Sequence, residues 1–228
     1  MPGTFTLVLE TSTPRASLAT IQPDGRQTQR DFTSDRSHNA VLFSPLQELL
    51  NARQFTDIGL VLVGSGPGSY SGTRVGIAAA QGIAIAAGCP AVALPSILGV
   101  PSAANGAACL AIGDARRGSF WTAMIESFHL LSQPKLTDAL GLEAIVSATI
   151  CAGIPVISLE DTARFPLPPA LRDQVRLEVP DATRLWSAWQ SSAQETQAGW
   201  LGVPPQPIYL KPPHITPAKR PWWLSPQS

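Results

Sequence analysis

The sequence predicts an α/β fold built from two related units, each opening with antiparallel strands, the second unit being the smaller. Three observations predict it. Two β-prone stretches open the chain at residues 4–9 and 16–21. A similar strand-turn-strand pattern starts again near residue 106. Between them, over residues 58–94, an apolar run, a glycine-dense turn, a small-residue segment and a second apolar run follow one another, which is the order of a βαβ unit.

Taken in order, residues 4–9 alternate and form the first strand. Glu10-Thr11-Ser12-Thr13-Pro14 is a polar turn, and residues 16–21 pair back as the second strand of a hairpin. Pro23-Asp24-Gly25 is a turn, and residues 27–33 form a more polar third strand at an edge. Val41, Leu42, Pro45, Leu46, Leu49 and Leu50 fall near helical spacing, so residues 37–52 read as an amphipathic helix. Pro45 requires a kink or a later start, because its ring carries no N–H and crowds the preceding turn. Residues 58–63 are a buried strand, 75–87 a helix, and 90–94 a strand parallel to the one before. Residues 95–105 form a weaker helix, compromised by Gly99 and Pro101.

In the second unit, residues 107–112 and 119–125 are strands around the turn Gly113-Asp114-Ala115-Arg116-Arg117-Gly118. Residues 142–149 form a helix, 154–159 a strand, and 181–194 a helix bearing Leu185, Trp186 and Trp189. Pro204, Pro205, Pro207, Pro212, Pro213, Pro217, Pro221 and Pro226 then exclude regular helix and central strand. They leave room for a short edge strand at 208–210 and an extended tail. The units divide at residues 1–105 and 106–211, with 212–228 as a Pro-rich tail.

At 44% hydrophobic and 14% charged, the chain of 228 residues can bury a substantial core. Its 16 basic and 16 acidic residues balance, which argues against a stand-alone nucleic-acid binder, since phosphate affinity needs clustered Lys and Arg. Cys89, Cys109 and Cys151 are isolated and odd in number, so they suggest reduced thiols rather than a disulfide framework or zinc site. Residues 75–87, the longest nearly apolar segment, are too few to span a bilayer, and the N-terminus lacks a signal-peptide pattern. A soluble, cytoplasmic protein that makes no membrane contact is expected.

The segment Gly64-Ser-Gly-Pro-Gly-Ser-Tyr-Ser-Gly-Thr-Arg-Val-Gly76 carries the most chemistry. A glycine turn feeding a helix start gathers backbone N–H groups and a favourable dipole. Gly66, Gly68, Ser69, Gly72 and Arg74, together with Glu10, are therefore candidate anion- or nucleotide-binding residues. The segment has no Lys for a Walker A loop, and Gly72 falls one residue late for G-x-G-x-x-G. On the residues alone, the turn reads either as an anion cradle or as a tight structural turn. No H-E-x-x-H metal motif, Ser/His/Asp order or close carboxylate pair marks a catalytic centre or metal site.

Four segments and the tail resemble the bacterial TsaB (YeaZ) family. Leu7-Val8-Leu9-Glu10-Thr11-Ser12-Thr13 resembles its opening strand and Asp-Thr-Ser turn, with Glu10 in place of the Asp. Arg36-Ser37-His38 followed by residues 46–50 resembles its Ser-His helix. Gly66-Pro67-Gly68-Ser69-Tyr70-Ser71-Gly72-Thr73-Arg74-Val75-Gly76 is close to its Gly-Pro-Gly-Ser-Phe-Thr-Gly-Leu-Arg-Ile-Gly signature. Gly113-Asp114-Ala115-Arg116 with Trp121, and Pro207-Ile208-Tyr209-Leu210-Lys211, are similar to its second-half opening and its tail.

The resemblance implies the duplicated ASKHA fold of actin and sugar kinases, with mixed sheets flanked by helices. It also implies a non-catalytic subunit in the N6-threonylcarbamoyladenosine modification of tRNA at position 37. Such a subunit binds and activates the catalytic subunit TsaD. It has no cofactor of its own: ATP and magnesium act through TsaE and the metal through TsaD, and tRNA is met only through the complex. His38, with Leu42 and Phe43 four and five residues on, lacks the paired histidine of a TsaD metal site. His129 and His214 lie far away in the chain.

The segment at residues 75–87 reads either as a core helix or as an interface helix, because its alanines and glycines permit close helix approach. In the resembled family, this helix and the preceding one dock on TsaD. The docking residues expected here are His38, Leu42, Leu46, Leu49, Arg74, Ala78, Ala79 and Ile83, and the same face could hold a homodimer. The rival reading is an ASKHA-type nucleotide-dependent kinase or acyltransferase working through the loop at residues 66–72. Asp114 and Arg116 read as a turn pair, and Trp186, Trp189, Trp200, Trp222 and Trp223 as packing residues. Lys211, Lys219 and Arg220 form a thin basic tail.

Overall fold

The computed structural model describes residues 4–33, 41–50 and 53–210. β1 (Phe5–Glu10) is buried along almost its whole length because it is the central strand of a five-stranded sheet. β2 (Arg15–Ile21) returns antiparallel to it, and β3 (Gln27–Thr33), mostly exposed and polar, closes that edge. On the other side of β1 lie β4 (Ile58–Gly64) and β5 (Ala91–Leu94), both parallel. The order is β3-β2-β1-β4-β5.

α1 (Phe43–Leu50) turns Leu46, Leu49 and Leu50 inward. Its regular turns begin at Phe43, which places Pro45 in the first turn, where a missing N–H breaks no helical bond. The expected residues 37–40, 51 and 52 lie outside the described residues. α2 (Tyr70–Ala87) is the crossover from β4 to β5 and starts five residues before the apolar spacing predicts. Ser69 caps it, its side chain accepting from the Gly72 N–H at 3.2 Å. Tyr70, Ser71 and Gly72 are poor helix formers and concealed that first turn. Arg74 consequently sits just past the first turn. Gly88, in the left-handed region at φ 67°, ends the helix.

The second sheet repeats the plan. Central β6 (Cys109–Asp114) has antiparallel β7 (Phe120–Glu126) on one side and parallel β10 (Val156–Ser158), then β11 (Val175–Leu177), on the other. Two short strands, β8 (His129–Leu130) and β9 (Lys135–Thr137), both pair with β7. α3 (Ala139–Cys151) precedes β10, and the single turn α4 (Pro169–Arg172) precedes β11. Gly113, expected in the turn, is the penultimate residue of β6. It pairs with Trp121, whose indole fills the space a Cβ would need.

Several expected elements differ. Residues 95–105 form two 3-10 turns, Ser96–Gly99 and Pro101–Gly106, interrupted by left-handed Asn105 at φ 60°. The helix at 181–194 ends as α5 (Ala182–Ser191), and a separate α6 (Gln194–Leu201) follows. Residues 208–210 form no strand; a single backbone bond, Ile208 N–H to Ser65 O at 2.9 Å, ties them down. The tail at 212–228 lies outside the described residues.

α5 crosses back to the first sheet. The Ala182 N–H donates to Ser17 Oγ at 2.9 Å and the Thr183 N–H to Gln29 Oε1 at 3.1 Å. Leu185, Ala188 and Trp189 enter one core with Val8, Ala19 and Leu62 of the first sheet and Cys109, Ala111 and Ile157 of the second. Burial there pushes the Cys109 thiol up to about 12, so it stays protonated and inert. Among the described residues, no helix is long and apolar enough to cross a membrane.

Gly76, in the middle of α2, faces Thr11, and a Cβ there would overlap the Thr11 hydroxyl. Gly76→Ala should therefore cost about 1–3 kcal/mol in denaturant unfolding. The double variant Gly76→Ala, Thr11→Ala should recover part of that loss. Equal stability of Gly76→Ala and wild type would show that α2 is not seated as described.

Candidate functional site

β4 ends at Gly64, and the chain turns through a cis Gly66–Pro67 peptide into the cap of α2. Several polar groups of this turn are engaged within the chain. The Gly66 N–H donates to Ser96 Oγ at 2.9 Å, while Gly66 O accepts from the Ser96 N–H at 2.8 Å. The Ser69 N–H donates to Ser12 O at 2.6 Å, and the Thr11 hydroxyl donates to Gly72 O at 2.9 Å. A Cβ on Gly68 would strike Ser12 O, and one on Gly72 would strike Thr11 O. These glycines act as spacers that let the start of α2 lie against the β1–β2 turn.

Three N–H groups of the expected anion cradle, those of Gly66, Ser69 and Gly72, thus already have partners within the chain.

Glu10 lies beneath it and is fully buried. Its Oε1 accepts from the Ser12 N–H at 2.7 Å, and its carboxyl occupies the space left by the missing side chain of Gly64. Oε2 and the Ser12 hydroxyl have no hydrogen-bond partner among the described residues. Desolvation raises the Glu10 pKa above the usual carboxylate range. The neighbouring Ser12 and Ser96 groups oppose that rise, and Asp181 adds to it. Glu10 is thus an internal carboxyl, not a group presented to a ligand.

Arg74 is exposed, but its guanidinium is occupied. It lies 3.8 Å from the Tyr70 ring centroid and 5.5 Å from that of Tyr209, and Nη2 donates to the Tyr209 hydroxyl at 2.9 Å. Together with a bond from Gln81 Nε2 to Pro205 O at 3.2 Å, this fastens residues 205–209 along α2.

The expected docking residues separate into two groups. Leu42, Leu46, Leu49 and Ile83 are buried in the chain's own core with Phe5, Leu7 and Leu9. They cannot touch a partner, because the apolar stripes of α1 and α2 face the sheet. Ala79 is half-buried against the same core, Ala78 is exposed, and His38 lies outside the described residues. The outer face of α2 instead carries Arg74, Ala78, Gly82, Ile85 and Ala86, all exposed, and Ile85 is 82% accessible. Ile85 and Ala86 were not among the expected docking residues. Their spacing from Ala78, seven and eight residues on, places them on its face and was the available signal.

Asp114 pairs with Arg116 as expected, Nη1 to Oδ2 at 3.0 Å. Among the described residues, no group of three His, Cys, Asp or Glu could hold a metal ion.

A family model described as TsaD, tRNA N6-adenosine threonylcarbamoyltransferase, matches residues 32–184, well over half of the chain. The chain belongs to this family. The tRNA threonylcarbamoyladenosine biosynthesis protein TsaB of Escherichia coli (strain K12) is 33% identical over 122 residues, covering 50% of this chain and 52% of that protein. Its namesake in Haemophilus influenzae is 30% identical over 100 residues, 43% and 42% of the two chains. The chain thus spans about half the length of the curated relatives it matches.

Among solved structures, an uncharacterized protein with similarity to peptidase YeaZ from Pseudomonas aeruginosa superposes with a TM-score of 0.69 at 21% identity, over 91% of this chain and 100% of that one. YeaZ from Pseudomonas aeruginosa gives 0.62 at 18% identity over the same shares. These two share the fold of this chain, two mixed sheets flanked by helices.

Glu10 has a measurable consequence. Above the ordinary glutamate pKa of about 4.3, the unfolded chain loses this proton while native Glu10 retains it. The native state then binds more protons, so stability falls as pH rises, until native Glu10 itself ionises. Glu10→Gln keeps the acceptor for Ser12 N–H and removes this slope. Its stability relative to wild type should rise as pH climbs above the ordinary glutamate pKa and level off once native Glu10 ionises, in denaturant titrations. Parallel profiles would mean that Glu10 carries no raised pKa.

Proposed function

We propose that the chain is a non-catalytic partner subunit in tRNA threonylcarbamoyladenosine biosynthesis that binds and activates a TsaD-type catalytic subunit. The observation that carries this reading is the outer face of α2. Ala78, Gly82, Ile85 and Ala86 form an apolar strip of low relief that the chain leaves exposed. Small side chains allow a second helix to approach closely, and Ile85 supplies an apolar anchor for a central contact. The pathway is supported by the relatives named TsaB and by the TsaD family model.

The glycine turn supports a partner over an enzyme. A kinase or acyltransferase working through residues 66–72 would draw on those N–H groups for a phosphate, and three of them, of Gly66, Ser69 and Gly72, are committed within the chain. In this reading, ATP and magnesium act through a TsaE-type subunit, the metal belongs to TsaD, and tRNA is reached only through the complex. Without TsaD, the same face pairs with a second copy of the chain.

Ala78→Arg should leave the monomer folded, since Ala78 faces solvent. It should weaken TsaD binding about tenfold or more in calorimetry, the penalty of a bulky charge in a close-packed contact. Ala80→Arg is the contrasting control: Ala80 is fully buried, so that variant should fail to fold. Unchanged TsaD affinity of folded Ala78→Arg would reject the face, and turnover of ATP by the isolated chain would reject the non-catalytic role.

A further inference from the structure

The two sheets finish differently at corresponding ends. In the first, the glycine turn and the β1–β2 turn close on each other over Glu10. In the second, the β6–β7 turn and the segment after β10 border an open pocket of about 530 Å³, within the range of small-molecule sites. Phe120 and Phe165, both buried, line its apolar part, their rings tilted with centroids 5.5 Å apart.

Around them stand three guanidiniums, of Arg116, Arg117 and Arg164, and three carboxylates, of Asp114, Glu160 and Asp161. The carboxylates are held in place. Glu160 Oε1 accepts from the Asp114 N–H at 2.8 Å, and Asp114 Oδ1 accepts from the Arg116 N–H at 2.6 Å. Asp161 Oδ1 accepts from the Ala163 N–H at 2.8 Å. Each of Glu160 and Asp161 keeps a second oxygen with no hydrogen bond among the described residues. Arg117 and Arg164 make no ion pair among the described residues. Arg116, Arg117 and Gly118 pass through three successive left-handed conformations, at φ 66°, 59° and 69°, which sets two arginines side by side in the turn.

We propose that this pocket binds a free α-amino acid as its zwitterion. The formal charges of its lining cancel. A polyanion would meet three carboxylates and a simple cation three guanidiniums, whereas a zwitterion is complementary to both signs. Arg117 and Arg164 receive the α-carboxylate through charge-assisted bonds. The outer oxygens of Glu160 and Asp161 receive the α-ammonium, and the ligand side chain lies toward Phe120 and Phe165. The proposal is independent of the α2 face.

The test is calorimetry and amide NMR on the whole chain. The probes are a panel of protein amino acids, their N-acetyl and decarboxylated counterparts, inorganic phosphate and ATP. At least one amino acid should bind saturably, with amide shifts centred on residues 114–120 and 160–165. Its N-acetyl and decarboxylated counterparts should not bind. Arg117→Ala and Arg164→Ala alter exposed side chains and should each weaken binding about tenfold, the loss of one charge-assisted contact. No saturable amino acid, equal binding of an N-acetyl counterpart, or phosphate or ATP binding at these amides instead would each overturn the proposal.

Discussion

The close seating of the start of α2 on the β1–β2 turn governs the first half of this molecule. Backbone meets backbone there: Ser69 donates to Ser12 O, and the Thr11 hydroxyl reaches Gly72 O. Glycine at 68, 72 and 76 is what permits that distance. The contact orients α2, so that Ile77, Ala80, Ile83 and Ala84 enter the core while Ala78, Gly82 and Ile85 look outward. It also closes the concavity over Glu10. Glycines of a motif that reads as a ligand cradle serve in this chain as a packing joint.

The fold was largely legible in the sequence. β1, β2, β4 and β6 are continuous apolar or alternating runs, and position along the chain was enough to order them. Short strands such as β8 and β11 were not legible, because two or three residues give no periodicity and their pairing with β7 and β10 is a tertiary effect. The first turn of α2 was hidden by Ser71 and Gly72, whose helical state depends on the Ser69 cap. At the site, the sequence showed which residues gather but not whether they face outward. Leu42, Leu46, Leu49 and Ile83 were read as a docking stripe because an apolar stripe carries no label saying which surface covers it. The sheet covers it. Ile85, the residue that does look out, was indistinguishable by type from Ile83.

The two halves share a strand plan yet put it to different use. Around β1, the polar turn is sealed by glycines and serines. Around β6, arginines and carboxylates keep the corresponding end open, with Trp121 lying across Gly113 beside it. The order of central strands is alike in the two halves, while the side chains at their ends differ.

α5 leaves the second sheet and buries Leu185, Ala188 and Trp189 between both sheets, and Ser17 and Gln29 of the first sheet meet its opening turn. Any clamshell motion between the halves would have to pull these side chains out of a common interior. Hinge closure of the kind used by two-lobed kinases is thus opposed by one short helix, which ties the halves together through a shared interior that any opening would expose to water.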